Sequence, residues 1–341
     1  PSWPDTMIQS PARTTGVYGG CGAADIDPTL RHGAESVRLN LMTPLPAYSR
    51  RRFLALSASL GLGGLVAACG GSSSSSSSGA IDGVSGTLQV VKRFPTSGLV
   101  PGSIRLPISL ADTSGLLTTD GKVKLPQTLT GKVIDAASGD VVVASVTADK
   151  HDVNMATPYW PFIVDVQKVG VYLLILDAAP ESEMSFQVEE REYVLSPLVG
   201  DALPPFDTPT VDNKRGVDPI CTSPQGTCPF HEVTLTEALQ SGKPVVYLIG
   251  TPAYCKTGTC APGLDALIAL SKKVGDAAVF VHADVYTDKT ATTAAPAVLA
   301  YKLAYEPLLY ITDAKGVLVN RLDAVFDVTE MSSALAAAGI S

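Results

Sequence analysis

Cys255 and Cys260, separated by four residues in Thr251-Pro252-Ala253-Tyr254-Cys255-Lys256-Thr257-Gly258-Thr259-Cys260-Ala261-Pro262, are the side chains best placed to do chemistry. Two thiols this close can cycle between dithiol and disulfide if the backbone lets the sulfurs meet. At positions i and i+5 of a regular helix they would diverge by about 140° and lie about 7.5 Å apart along the axis. A disulfide holds its Cβ atoms about 3.8 Å apart. The spacing therefore predicts a turn over 256–259, which Gly258 makes feasible, with Thr259 as N-cap and Cys260 and Pro262 in the first helical turn. There, unpaired N–H groups and the helix dipole favour a thiolate, and Lys256 adds a cation. A redox pair is the favoured chemistry, with a structural disulfide or a metal site as alternatives.

Cys221 and Cys228 enclose the turn-rich Thr-Ser-Pro-Gln-Gly-Thr. With Cys21 and Cys69 set aside, the four remaining of six cysteines allow three pairings, and proximity favours Cys221 with Cys228 and Cys255 with Cys260. In an oxidising compartment the Cys221–Cys228 bridge is a structural disulfide worth about 2.5 kcal/mol. A Cys-x6-Cys-x2-His metal site that adds His231 is its rival, although structural zinc usually takes four ligands at tighter spacing. His282, alone in an apolar strand at 279–285, reads as a packed residue. His151 and Asp152, beside a turn, read as solvated.

The elements that must position these residues follow from periodicity. Beyond residue 229, short apolar runs alternate with helical patterns: strands at 245–249 and 279–285, helices near 264–274, 294–303 and 328–338, and a hairpin about Ala314-Lys315-Gly316. That order predicts a three-layer α/β domain over 229–341. Residues 86–195 have period two instead, as in Ile104, Leu106, Ile108 and Leu110, and about seven strands predict an all-β antiparallel sandwich. Pro107 inside one strand predicts that this strand lies at an edge. Residues 196–228, rich in proline, form a stiff linker that carries the Cys221/Cys228 loop.

Charge narrows the partners. Before Cys69 there are six Arg against four acidic residues, which leaves 19 basic against 29 acidic groups, a net −10, in the remainder. Such a surface repels phosphate, so no nucleic-acid partner is expected. Within 42–69, Ser49-Arg50-Arg51-Arg52-Phe53-Leu54 and the apolar run to Ala68 form a charged region and a core too short and diluted to span a bilayer. The segment resembles a twin-arginine export signal. Its end, Val66-Ala67-Ala68-Cys69-Gly70, resembles a lipobox, which implies lipidation of Cys69. The implied location is extracytoplasmic, with the lipid anchor holding the protein to the outer face of a bacterial cytoplasmic membrane. Residues 70–85, with seven consecutive serines, read as a flexible tether. Residues 1–41, which include Cys21, lack periodicity and precede Met42; they read as a disordered, over-extended start.

The order of elements over 229–341, with the Cys255/Cys260 turn, Ala261-Pro262-Gly263-Leu264-Asp265 and Glu306-Pro307-Leu308-Leu309-Tyr310, resembles the thioredoxin family. Gly170-Val171-Tyr172 in the sandwich resembles a turn of immunoglobulin-like domains. The resemblance implies a thiol–disulfide oxidoreductase acting on protein dithiols and disulfides without a cofactor. It assigns Cys255 as nucleophile, Cys260 as resolving thiol and Pro307 to a cis-proline loop. Four residues rather than two separate the cysteines, Tyr254 stands where the family has tryptophan, and no acid lies in the 245–249 strand. Copper-delivery relatives of thioredoxin suggest an alternative, a copper-binding module using Cys255, Cys260 and His282. A redox-inactive scaffold lipoprotein is the other.

Overall fold

The computed structural model describes residues 81–120 and 122–341. The export signal, Cys69, residues 1–41 and most of the serine tether lie outside the described residues. Among the described residues no helix is long and apolar enough to cross a membrane. The described chain is rich in β-structure, with three four-stranded sheets.

Two of these sheets are antiparallel and face each other across one core. In the first, β2 (Gly102–Asp112) pairs with β1 (Gln89–Lys92), β3 (Gly115–Leu116) and β6 (Trp160–Val166). In the second, β4 (Thr128–Asp135), β5 (Val141–Asp149), β7 (Gly170–Leu176) and β8 (Ala179–Val188) run in the order β5-β4-β7-β8. Alternation puts every second side chain inside: Ile104, Leu106, Ile108 and Leu110 meet Val133, Leu174, Leu176, Met184 and Phe186. Pro107 does not mark an edge, because β2 is paired on both sides. Its cross-strand partner on β6 is Pro161. Arg93 N donates to the Pro107 carbonyl at 3.0 Å, so the missing Pro107 N–H points toward Arg93, just past the end of β1, and not into the β2–β6 ladder.

The third sheet has the order β10-β9-β11-β12, with β9 (Val245–Ile249), β10 (Val279–Ala283), β11 (Leu308–Thr312) and β12 (Leu318–Asp323). β10 runs parallel to β9, and β11 runs antiparallel to both β9 and β12. Every residue of β9 is buried, as a continuous apolar run covered on both faces requires. Val246 and Leu248 face the helices α2 (Cys260–Val274) and α4 (Val328–Ala337). Val245, Tyr247 and Ile249 face α1 (Leu235–Gln240) and α3 (Pro296–Ala300). The region after Cys228 thus opens with α1, a helix that precedes the first expected strand at 245–249. Thr234 accepts from Glu237 N while the Glu237 carboxylate accepts from Thr234 N, a capping box that starts α1. α3 is shorter than the expected 294–303, and Lys302 beyond it adopts a φ of +52°, which stops a right-handed helix.

A polar seam joins the sandwich to α4. The Arg105 guanidinium donates to both Glu330 oxygens, at 2.6 and 2.7 Å, and to the carbonyls of Asp323 and Val325. Tyr159 donates to Glu330 Oε2 at 2.6 Å and accepts from Asp327 N. His151 is not solvated as its turn suggests: its Nδ1 lies 2.8 Å from Asp327 Oδ1, and its ring packs on Tyr159. Asp327 also caps α4 by accepting from Glu330 N.

Candidate functional site

β9 ends at Gly250, and the chain then turns through 251–259 into α2, whose first residue is Cys260. Gly258, at φ +66°, supplies the left-handed residue of the turn, and its N–H reaches the Cys255 carbonyl at 3.2 Å. Thr259 occupies the N-cap as the spacing predicts, but its hydroxyl donates to Ala324 O at 3.0 Å rather than capping the helix. The helix N–H groups are left to the sulfur.

The turn does bring the two thiols together. Cys255 Sγ, Cys260 Sγ and a Glu306 carboxylate oxygen all lie within 4.8 Å of one another. Cys255 is half-buried and Cys260 fully buried, both as free thiols. The Cys255 thiol is pulled down to about 5, first by the hydrogen bond from Cys260, with Thr257 and the backbone N–H groups of Thr259 and Cys260 adding to it against the effect of burial. Thr257 Oγ1 sits 3.2 Å from the sulfur. Burial, together with the hydrogen bond to Cys255, pushes the Cys260 thiol well up. The pair is split into an accessible thiolate and a protected thiol.

Glu306 is the residue that sequence reasoning missed. No acid lies in β9, but Glu306 enters the same space from the loop before β11. Its Oε2 accepts from Thr251 N at 2.8 Å and lies 3.5 Å from Cys260 Sγ. Burial, then the charge on Cys255, raises its carboxyl to about 8. An acid immediately before a proline, at the entrance to β11, was the available signal. The Glu306–Pro307 peptide is cis. Pro307, Cys260 and Gly250 crowd together: a Cβ on Gly250 would lie 3.3 Å from Pro307 Cβ and 3.5 Å from Cys260 Sγ. From the sandwich, the Arg93 guanidinium interacts with the charge on Cys255.

Among the described residues, Cys221 and Cys228 are also free thiols rather than a bridge. Cys221 Sγ, Cys228 Sγ and ring nitrogens of His231 and His282 all lie within 4.8 Å of one another, and all four residues are buried. A hydrogen bond from Cys228 pulls the Cys221 thiol down. His282, on β10, therefore belongs with Cys221, Cys228 and His231 and not with the Cys255/Cys260 pair, whose third neighbour is Glu306. This removes the ligand set expected for a copper module. Thr222 links the two clusters: its hydroxyl donates to Asp284 at 2.6 Å, lies 3.1 Å from Thr251 Oγ1 and accepts from Ala253 N.

No family model matches the chain, and no curated protein or solved structure matches it.

Proposed function

We propose that the protein is a thiol–disulfide oxidoreductase, a thioredoxin-like domain carried on an immunoglobulin-like sandwich and held outside the cytoplasmic membrane by a lipid on Cys69. The observation that carries this reading is the asymmetry of the cysteine pair. Cys255 is partly exposed with its thiol at about 5, and Cys260 is buried beside a carboxyl at about 8.

The Cys255 thiolate attacks one sulfur of a substrate disulfide, whose S–S bond breaks and whose other sulfur leaves as a thiolate. The charge on Cys255 is consumed in the mixed disulfide, which removes one of the influences that, after burial, raise Glu306, and Glu306 releases its proton to solvent. The Glu306 carboxylate so formed then accepts the Cys260 proton. Cys260 attacks Cys255 Sγ, the second substrate sulfur departs, and two electrons have passed to the substrate as the Cys255–Cys260 bond forms. The reverse sequence oxidises a substrate dithiol. Cis-Pro307, packed beside Cys260, offers backbone groups to an extended substrate strand, as the family resemblance implies.

The test is the reduction potential of the Cys255/Cys260 couple in the full chain, together with exchange activity on a protein disulfide. A value between about −120 and −270 mV, with activity lost in Cys255→Ser, supports exchange. A value well below about −300 mV marks an inert structural bond and overturns the proposal.

A further inference from the structure

We infer that Cys221, Cys228, His231 and His282 bind one zinc ion in a closed, structural site separate from the redox pair. The inference rests on the second cluster alone and does not depend on the exchange chemistry.

The outer nitrogens of the two imidazoles settle what the inner ones must do. His282 Nε2 lies 3.0 Å from the Gly250 carbonyl, and His231 Nδ1 lies 3.3 Å from the Pro209 carbonyl. A carbonyl only accepts, so both outer nitrogens carry protons. In neutral rings, His231 Nε2 and His282 Nδ1 then present bare lone pairs to each other across 3.1 Å. Both side chains have no exposure to solvent, so water does not relieve the repulsion. A cation between them does, either a second proton on one buried ring or a metal ion that also takes the two sulfurs. A Cys221–Cys228 disulfide would use both sulfurs and leave the facing lone pairs unrelieved.

The spacing fits a metal. Tetrahedral zinc with Zn–N about 2.05 Å and Zn–S about 2.3 Å sets its ligand atoms about 3.3 Å apart for N and N, and about 3.6 Å for N and S. The observed separations are 3.1 Å for His231 Nε2 to His282 Nδ1 and 3.5 Å for Cys228 Sγ to His282 Nδ1. An S2N2 set in this geometry selects zinc among common ions. Two thiolates, two neutral imidazoles and Zn²⁺ sum to zero charge, which a buried site requires. The histidine-to-carbonyl hydrogen bonds are the outer support that fixes ring orientation at metal centres.

The backbone delivers these ligands from three places. Cys221 comes from the loop before α1, Cys228 and His231 from the segment where His282 N donates to Phe230 O at 3.1 Å, and His282 from β10. Four ligands leave no open position, so the ion staples the 221–231 loop to the sheet and performs no catalysis.

The test uses the full chain purified under reducing conditions with Zn(II), and the same protein exchanged with Co(II). About one zinc per chain, tetrahedral Co(II) bands with sulfur-to-metal charge transfer, and an X-ray absorption shell of two sulfurs and two nitrogens are expected. Cys228→Ser and His282→Ala should lose the ion, and the Cys255→Ser/Cys260→Ser double variant should keep it. The absorption shell is measured on the unsubstituted chain, so misfolding of a variant leaves the inference testable. Absence of zinc from the reduced chain, or its loss from the double variant, would overturn the inference. A Cys221–Cys228 bridge in a chain that takes up no zinc after reduction would do the same.

Discussion

Lowering the pH from 7 to 5 probes the proposed redox pair most directly. With its thiol at about 5, Cys255 is about 99% thiolate at pH 7 and about half thiolate at pH 5, a twofold fall. A thiol at about 8.5 loses about 100-fold over the same interval. The low value brings no faster attack at pH 7: about 30-fold more thiolate is offset by an intrinsic nucleophilicity lower by about the same factor, for a Brønsted slope of 0.4–0.5. Its benefit is as a leaving group, when a second substrate thiol attacks the substrate sulfur of the mixed disulfide and Cys255 departs, and as a nucleophile that persists in acid. The assay is alkylation of the reduced chain by iodoacetamide, with modification of Cys255 followed by mass spectrometry of its peptide. A rate that halves between pH 7 and 5 is expected, and Cys260→Ala, which removes the main hydrogen bond, should restore a steep decline. A wild-type rate that drops 30-fold or more would refute the assignment of the sulfur as a stabilised thiolate.

Glu306→Gln should slow resolution of the mixed disulfide by about 100-fold in stopped-flow kinetics. It should leave the Cys255 titration nearly unchanged, because Glu306 is already protonated at pH 5. Arg105→Ala leaves Glu330 buried without its cation and should cost about 3 kcal/mol in denaturant unfolding, whereas Arg105→Met with Glu330→Met should cost much less. At the His151–Asp327 pair, burial opposes ionisation of both groups, but their hydrogen bond and mutual charge raise His151 and lower Asp327. The His151 contribution is complete below its unfolded value and is lost as pH rises through the raised folded one; the Asp327 contribution is lost as pH falls through its lowered one. The melting temperature should therefore decline on the alkaline side of about pH 6.5, and His151→Gln should flatten that decline.

The strands of the sandwich were legible because a half-buried sheet writes its burial directly as alternation, and the Cys255/Cys260 turn was legible because covalent geometry limits what a six-residue ring can do. Long-range partners were not. Glu306 meets Cys260 only after β11 is laid beside β9, and His282 reaches His231 across 51 positions because the Phe230 segment lies beside β10. Pro107 misled because its missing N–H falls where β1 ends, so the strand keeps a neighbour on either side without that donor. The α1 helix was within reach, since Thr234 and Glu237 spell its capping box.

The clasp at Arg105 has a mechanical meaning. A guanidinium gripped by a carboxylate and two carbonyls behaves as a rivet, not an articulation, and the helix it holds packs against α2, which begins at Cys260. Cys255, in the turn that leads into α2, therefore travels with the sandwich as one stiff arm. Redesigning the outline of that arm would re-aim the thiolate without altering its reactivity.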